Sequence, residues 1–406
     1  MNSGDATSDW GVAWRLLFRI AFVYLILYAT QMLPLWWSIV PWVGQQVFDI
    51  DATFRFRGSG DTTFNYVQIF CFFALGGAVS AIWTALDRKR INYVRLHEWL
   101  RVVVRFFLAT AMFAYGGGKV IPDQFPSPSL DRLSAPLGDA PPMALLWAFM
   151  GASDGYSVFT GAAEMLGGLL LCFRRTTLLG AIICCGVLSN VVALNFCYDV
   201  PVKLLASHLF LMAVFLSAPD LRRLANMFLF NRPVEPVACR PFFAKCWLNR
   251  AALMLRAAFV VLVPVLSLYV SYYDRKNFGD GAPEPPLYGI WDVGEFEADG
   301  KVRPPLITDA ARWRRVIFPR TGPLAIQLMD DSRRQYSLEV DAGAKTVALT
   351  RDRLPNWKAA LSYREPEPGL LELEGTFDGR RVRVKLRRAD ESQFPLVSRG
   401  FRWVID

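Results

Sequence analysis

The chain has 406 residues, of which 53% are hydrophobic, 14% aromatic and 20% charged, with a mean hydropathy of +0.26. That is too apolar and too lightly charged for an ordinary soluble domain, and its net charge of +9 comes with no basic stripe or motif of a nucleic-acid binder. The charge is uneven: residues 281–406 hold 21 Lys/Arg and 19 Asp/Glu, whereas the first 280 residues hold 24 and 17, so an apolar front precedes a polar tail.

In chain order, apolar runs at residues 18–37, 64–86, 100–120, 156–173, 177–196, 202–216 and 251–272 predict seven spans. A bilayer takes about 20 residues per helix. Residues 143–150 predict a short interfacial or re-entrant helix before the fourth span. The first run leads into Pro34 and Trp36-Trp37 and not into a small-residue cleavage site, so it reads as a retained span with an aromatic belt.

Lys and Arg in short loops mark the cytoplasmic side. Arg88, Lys89, Arg90 and Arg95 share one loop, Arg174-Arg175 the next on that side, and Arg222, Arg223, Arg232, Arg240, Lys245 and Arg250 the third; Arg15 and Arg19 flank the first span there. The opposite loops are balanced: Asp49, Asp51, Arg55, Arg57 and Asp61 in one, Asp123, Asp131, Arg132 and Asp139 in the other. The expectation is a multi-pass protein of a plasma (bacterial inner) membrane, with its N-terminus cytoplasmic and residues 274–406 outside. Arg105, near the cytoplasmic end of the third span, is expected to snorkel.

After a Gly- and Pro-rich linker the apolar period changes from helical to alternating. Residues 290–297, 314–318, 324–329, 336–341, 346–350, 360–363, 370–377, 381–386 and 394–404 read as short strands, punctuated by turns such as Asp378-Gly379. Many short, evenly spaced strands predict an antiparallel barrel or sandwich. The fold class expected is therefore an α-helical polytopic domain followed by a β-domain. Its segments are 1–97 (first spans), 98–218 (core), 219–273 (loop and last span), 274–286 (linker) and 287–406 (β-domain).

The seven cysteines form no C-x-x-C, and none lies in the β-domain, so neither a disulfide framework nor a thioredoxin-type dithiol is expected. One histidine in one span, His208, makes no bis-His haem site, and no metal-ligand cluster is visible.

Residues that composition leaves unexplained lie between Tyr115 and His208. An ionised side chain at the bilayer centre costs at least about 2.5–3.5 kcal/mol, so Lys119 and Glu164 are expected to face each other inside the bundle. Asp199 and Lys203 fall near the same outer boundary. Tyr115, Gln124, Asn190, Asn195 and His208 are further candidates to line an outward-opening polar pocket. The pair reads either as a salt bridge that fixes helix register or as a site where Lys119 donates to a head-group oxygen and Glu164 relays a proton. His208 reads equally as a packed, hydrogen-bonded residue.

Gly116-Gly-Gly-Lys119, then Ala163-Glu164 and Gly167-Gly168, then Arg174-Arg175 resemble the DoxX-like family of four-helix membrane proteins over residues of about 98–218. The resemblance implies membrane redox chemistry with a quinone or thiol partner, including an exported redox protein, and no established catalytic residue. The flanking spans, the 122–142 loop and the β-domain are additions to that pattern. A helical membrane domain followed by an exported β-rich part is also similar in layout to vitamin-K-dependent carboxylases. Gly289-x-Trp291 in the first strand and Arg402 in the last resemble a lipocalin-type barrel, which implies either a cup for an apolar ligand or a structural cap. Three functions stay open: a redox-linked membrane protein, a non-enzymatic lipid or small-molecule binding or transport module, and a scaffold for an exported complex. No nucleophile or cofactor fingerprint names a reaction.

Overall fold

Residues 9–55, 60–234, 243–351, 354–400 and 403–404 are described by a computed structural model. They fall into two compact units, Met1–Val120 with Val158–Tyr269, and Ile121–Ser157 with Val270–Asp406.

The apolar front is helical. Its helices are α1 (Val12–Ala29), α2 (Trp36–Val43), α3 (Thr63–Leu86), α4 (Val94–Val120), α5 (Leu130–Leu133), α6 (Pro142–Gly151), α7 (Asp154–Leu171), α8 (Thr177–Cys197), α9 (Lys203–Ser217), α10 (Leu221–Phe228) and α11 (Cys246–Asn277). Among the described residues, six helical stretches are long and apolar enough to cross a membrane: α1, α3, α4, α8, α9 extended to Phe228, and α11. The run expected as the fourth span is helix α7, which carries Asp154 and Glu164 and lies outside that apolar set.

The first expected span, 18–37, is two helices. Pro34 offers no N–H and biases Leu33 away from the helical region, so α1 stops at Ala29 and α2 starts at Trp36. The break is stitched by Gln68 of α3, whose Nε2 donates to the Gln31 carbonyl at 2.8 Å. Pro201 lies two residues before α9. There Asp61 from a distant loop caps the helix: its carboxylate accepts from Lys203 N at 2.7 Å and Leu204 N at 2.9 Å.

Helix α7 runs antiparallel to α4 and to α8. A Cβ built on Gly161 would sit 2.7 Å from the Gly116 carbonyl and from Lys119 Cβ, and one on Gly168 would meet Met112 and Ala109. On the other side Gly167 faces Cys184, and Gly180 faces Leu171. Small residues let these backbones touch.

The second unit is built on strands β1 (Gly289–Ala298), β2 (Lys301–Val302), β3 (Trp313–Phe318), β4 (Leu324–Leu328), β5 (Arg333–Asp341), β6 (Thr346–Arg351), β7 (Leu354–Arg364), β8 (Leu370–Phe377) and β9 (Arg380–Arg388). Each pairs antiparallel with the next, β2 pairs on β1 alone, and β9 returns to pair with β1. The result is a closed eight-stranded barrel with the short β2 as an appendage. Its interior is packed by Trp291, Phe296, Trp313, Tyr336 and Phe377.

One barrel expectation changes. The described residues of the run expected over 394–404 hold no strand: Pro395 cannot donate to a ladder, and the chain forms a helical turn, α12 (Pro395–Ser398). Arg402, assigned to that strand, lies outside the described residues. Across the closing pair, Arg388 is in register with Trp291.

The segment 121–157 joins the barrel. Leu130 of α5 packs with Ile290, Ile317 and Ala325 on the outer face, Asp131 pairs with Arg333 at 2.5 Å, and Ser127 N donates to Asp280 at 2.8 Å. Within the 98–218 stretch, this part therefore belongs to the second unit.

Candidate functional site

The site is built from the last turn of α4 and the middle of α7. Lys119 closes α4, where a cation is favoured by the helix dipole. Gly116 and Gly161 allow backbone-to-backbone contact there, which brings α7 close enough for a direct ion pair. Lys119 Nζ donates to Glu164 Oε1 at 2.5 Å, and the two residues are only 6% and 3% exposed. The other carboxylate oxygen, Glu164 Oε2, is buried with no hydrogen-bond partner among the described residues. On α11, Ser267 Oγ donates to the Phe113 carbonyl at 2.6 Å and sits against Gly117, so a third helix closes the same end of α4.

This arrangement holds a fixed carboxylate with one oxygen neutralised and the other bare. An ammonium has three donors, and Glu164 takes one of them. The site can bind a group that donates to Oε2 and accepts from Lys119.

The other expected residues distribute differently. Tyr115 lies one turn before Lys119 and is 38% exposed. Asp199 and Lys203 pair with each other at 2.7 Å on the surface, so their charges answer one another. Asn195 is buried and donates to the Val202 carbonyl at 3.3 Å, holding the turn into α9. Asn190 is exposed on α8. Gln124 falls in the second unit. There the neighbouring Asp123 has its carboxyl raised above the usual range, first by burial and then by the Asp274 carboxylate.

His208 is satisfied on both ring nitrogens. Nδ1 lies 2.6 Å from the Leu204 carbonyl, an acceptor only, so Nδ1 carries the proton and Nε2 accepts from Tyr24 Oη at 2.5 Å. The ring stacks on Tyr28 with centroids 4.2 Å apart. This is the packed, hydrogen-bonded reading of the residue.

A second polar cluster surrounds Arg19, whose charge the sequence places beside the loop arginines. Arg19 is 4% exposed. It donates to Tyr93 Oη at 2.6 and 3.0 Å, to Thr84 Oγ1 at 2.6 Å and to the Asp87 carbonyl at 3.0 Å, while Tyr93 donates to Asp87 Oδ2 at 2.9 Å. Every member is paired, so the cluster clamps α1 to α3 and the start of α4. The available signal was position: Arg19 sits eight residues into α1, where an unpaired charge is unfavourable.

No family model matches the chain, and no solved structure matches it. Among curated proteins it is similar to the uncharacterized protein YwoB of Bacillus subtilis (strain 168), 35% identical over 124 residues, which are 30% of this chain and 79% of that protein.

Proposed function

The chain belongs to the family of the Bacillus subtilis protein YwoB, and within it we propose a DoxX-like, redox-linked protein of the bacterial inner membrane. Its site, Lys119 with Glu164, takes the polar head group of a quinone-type molecule. One observation carries this reading: Glu164 Oε2 is buried and bare. A buried acceptor left unsatisfied costs about 1–3 kcal/mol, more when charged, and a ligand hydroxyl would relieve that cost.

A bound quinone supplies two-electron chemistry coupled to protons. The chain's own residues do the rest. Glu164 exchanges a proton at Oε2, and the spare Lys119 donors orient a head-group oxygen. Electrons would pass to an exported redox protein.

Seven crossings suit this reading better than six. The 18 residues of α7 span about 27 Å, close to the about 30 Å hydrocarbon thickness. Residues 121–157 follow α4, the barrel follows α11, and both belong to one packed unit. They share a side of the membrane only if α7, α8, α9 and α11 all cross. The N-terminus is then cytoplasmic and the barrel outside.

The test is quinone co-purification and quinol-dependent turnover of the full chain. Glu164→Gln and Lys119→Met are expected to lose at least tenfold in turnover relative to the unmodified chain. Unchanged turnover in both would overturn the site.

A second reading rests on the barrel. It holds a cavity of about 220 Å³ floored by Phe296, Trp313, Tyr336 and Phe377 and edged by Arg334 and Asp378. This favours a non-enzymatic module that binds a lipid or small molecule. A ligand lost on removal of the barrel, with no quinol turnover, would select it.

A further inference from the structure

Helix α8 has two unlike sides. One packs into the bundle through Ala181, Cys184, Leu188 and Asn195, and Gly180 on that side lets Leu171 of α7 approach. On the opposite side Leu179, Gly186, Asn190 and Ala193 are all exposed. At about 3.6 residues per turn these four fall along one line of the helix.

Two residues on that line do not suit lipid. Helix α8 is long and apolar enough to cross a membrane. Asn190 stands three residues past its midpoint, a rise of only about 4.5 Å, so in a bilayer it lies within the hydrocarbon. Hydrocarbon offers an amide no hydrogen-bond partner, and polar side chains inside spans are expected to face protein or a water-filled cavity. The Asn190 carboxamide has no hydrogen bond among the described residues, whereas the adjacent Ser189 hydroxyl donates to the Gly186 carbonyl at 2.8 Å. Gly186 has no role within one chain either. Glycine weakens a helix interior, and a Cβ built on it would meet nothing within 4 Å among the described residues.

Spacing and chemistry identify what covers this face. Leu179, Gly186 and Ala193 recur every seven residues, and Asn190 falls four after Gly186 and three before Ala193. That alternation is the seam of two helices in a left-handed supercoil, with Asn190 at an a position, where one polar residue sets the register of a parallel pair. A carboxamide carries both donors and an acceptor, so it is complementary to another copy of itself. Every copy of the chain takes the same orientation in the membrane. The α8 helix of a second copy therefore arrives parallel, and a two-fold axis along the membrane normal brings each Asn190 opposite its counterpart.

We propose that two copies of this chain associate in the membrane through the Leu179–Gly186–Asn190–Ala193 face of α8. The two Asn190 amides hydrogen-bond across the seam, and Gly186 and Ala193 let the two backbones approach. The contact rests on the multi-pass membrane reading and is independent of the Lys119–Glu164 site.

The test reconstitutes the full chain in phosphatidylcholine vesicles and counts subunits by single-molecule photobleaching as the chain is diluted in lipid. The unmodified chain should be a dimer that dissociates on dilution. Asn190→Leu should weaken the dimer about tenfold, the scale of an interhelical amide pair, and Asn190→Gln should retain most of it. Gly186→Leu, for which one chain has room, should weaken it by holding the backbones apart. A benzoylphenylalanine photo-crosslinker in place of Ala193 should join two copies, and one in place of Leu211, exposed on α9, should not. A monomer at every density would overturn the proposal, as would unchanged dimerisation in both Asn190→Leu and Gly186→Leu or equal cross-linking at the two positions. Alkaline carbonate treatment of native membranes reads the premise separately: release of the chain would overturn the membrane reading, whereas a chain that is retained but monomeric overturns the α8 contact alone.

Discussion

Lys119 and Glu164 illustrate how a single buried ion pair constrains its own substitutions. Removing one partner leaves the other charged, buried and uncompensated, which costs about 3–5 kcal/mol, whereas replacing both with apolar residues is often near neutral. Glu164→Met alone should therefore lower the melting temperature of the purified chain sharply, and adding Lys119→Met should restore most of it. A double variant no more stable than the single would show that the pair is not the source of the effect. The pairing was legible in the sequence because two charges in apolar runs must find each other. The bare Oε2 was not, since it depends on where α7 settles against Gly116 and Gly161. Arg19 was misread for the opposite reason. As a charge near a helix end it resembles a loop residue, and only the fold reveals Tyr93, Thr84 and Asp87 gathered around it.

Among the elements, the barrel strands were the most legible and the helix breaks the least. β8 occupies the expected residues 370–377, because its alternation is clean and turns bound it. The run that begins at Phe394 is apolar but contains Pro395, which has no N–H for a ladder. The α1–α2 break was hidden because a hydrophobic run reads through Pro34. The outer face of the barrel is laced by cross-strand pairs, such as Lys385–Glu295 at 2.7 Å and Arg381–Glu374 at 2.8 Å. The Arg381 guanidinium lowers Glu374 below the usual carboxylate range, and the Ser332 and Ser392 hydroxyls do the same for Asp330 and Asp390. A carboxyl lowered in the folded state stabilises above its ordinary value and loses that contribution as acid protonates it. Amide protection in the barrel should thus hold from pH 7 to about 5 and fall below about pH 4. Protection that rises in acid would contradict this.

For the whole molecule, the proposed seven-span topology places the two ends of the helical region on opposite sides. Cys197, exposed at the end of α8, falls outside, and Cys246, exposed at the start of α11, falls inside. With one cysteine retained at a time, a membrane-impermeant maleimide on intact cells should label Cys197 at once and Cys246 only after permeabilisation. Six crossings without α7 would reverse both results. The division into an apolar front and a charged tail was plain from composition, but the allegiance of residues 121–157 was not, because contacts such as Asp131 with Arg333 join positions about 200 apart. That allegiance shapes how the protein is made. Leu130 and Asp131 leave the ribosome roughly 250 residues ahead of β9, the strand that closes the cylinder they cover. At about 5–20 residues per second, the segment waits on the order of ten to fifty seconds for its partner. Over that interval the amphipathic turn is a client for a holdase or a target for a protease, and synthesis that stalls before Arg388 leaves it so.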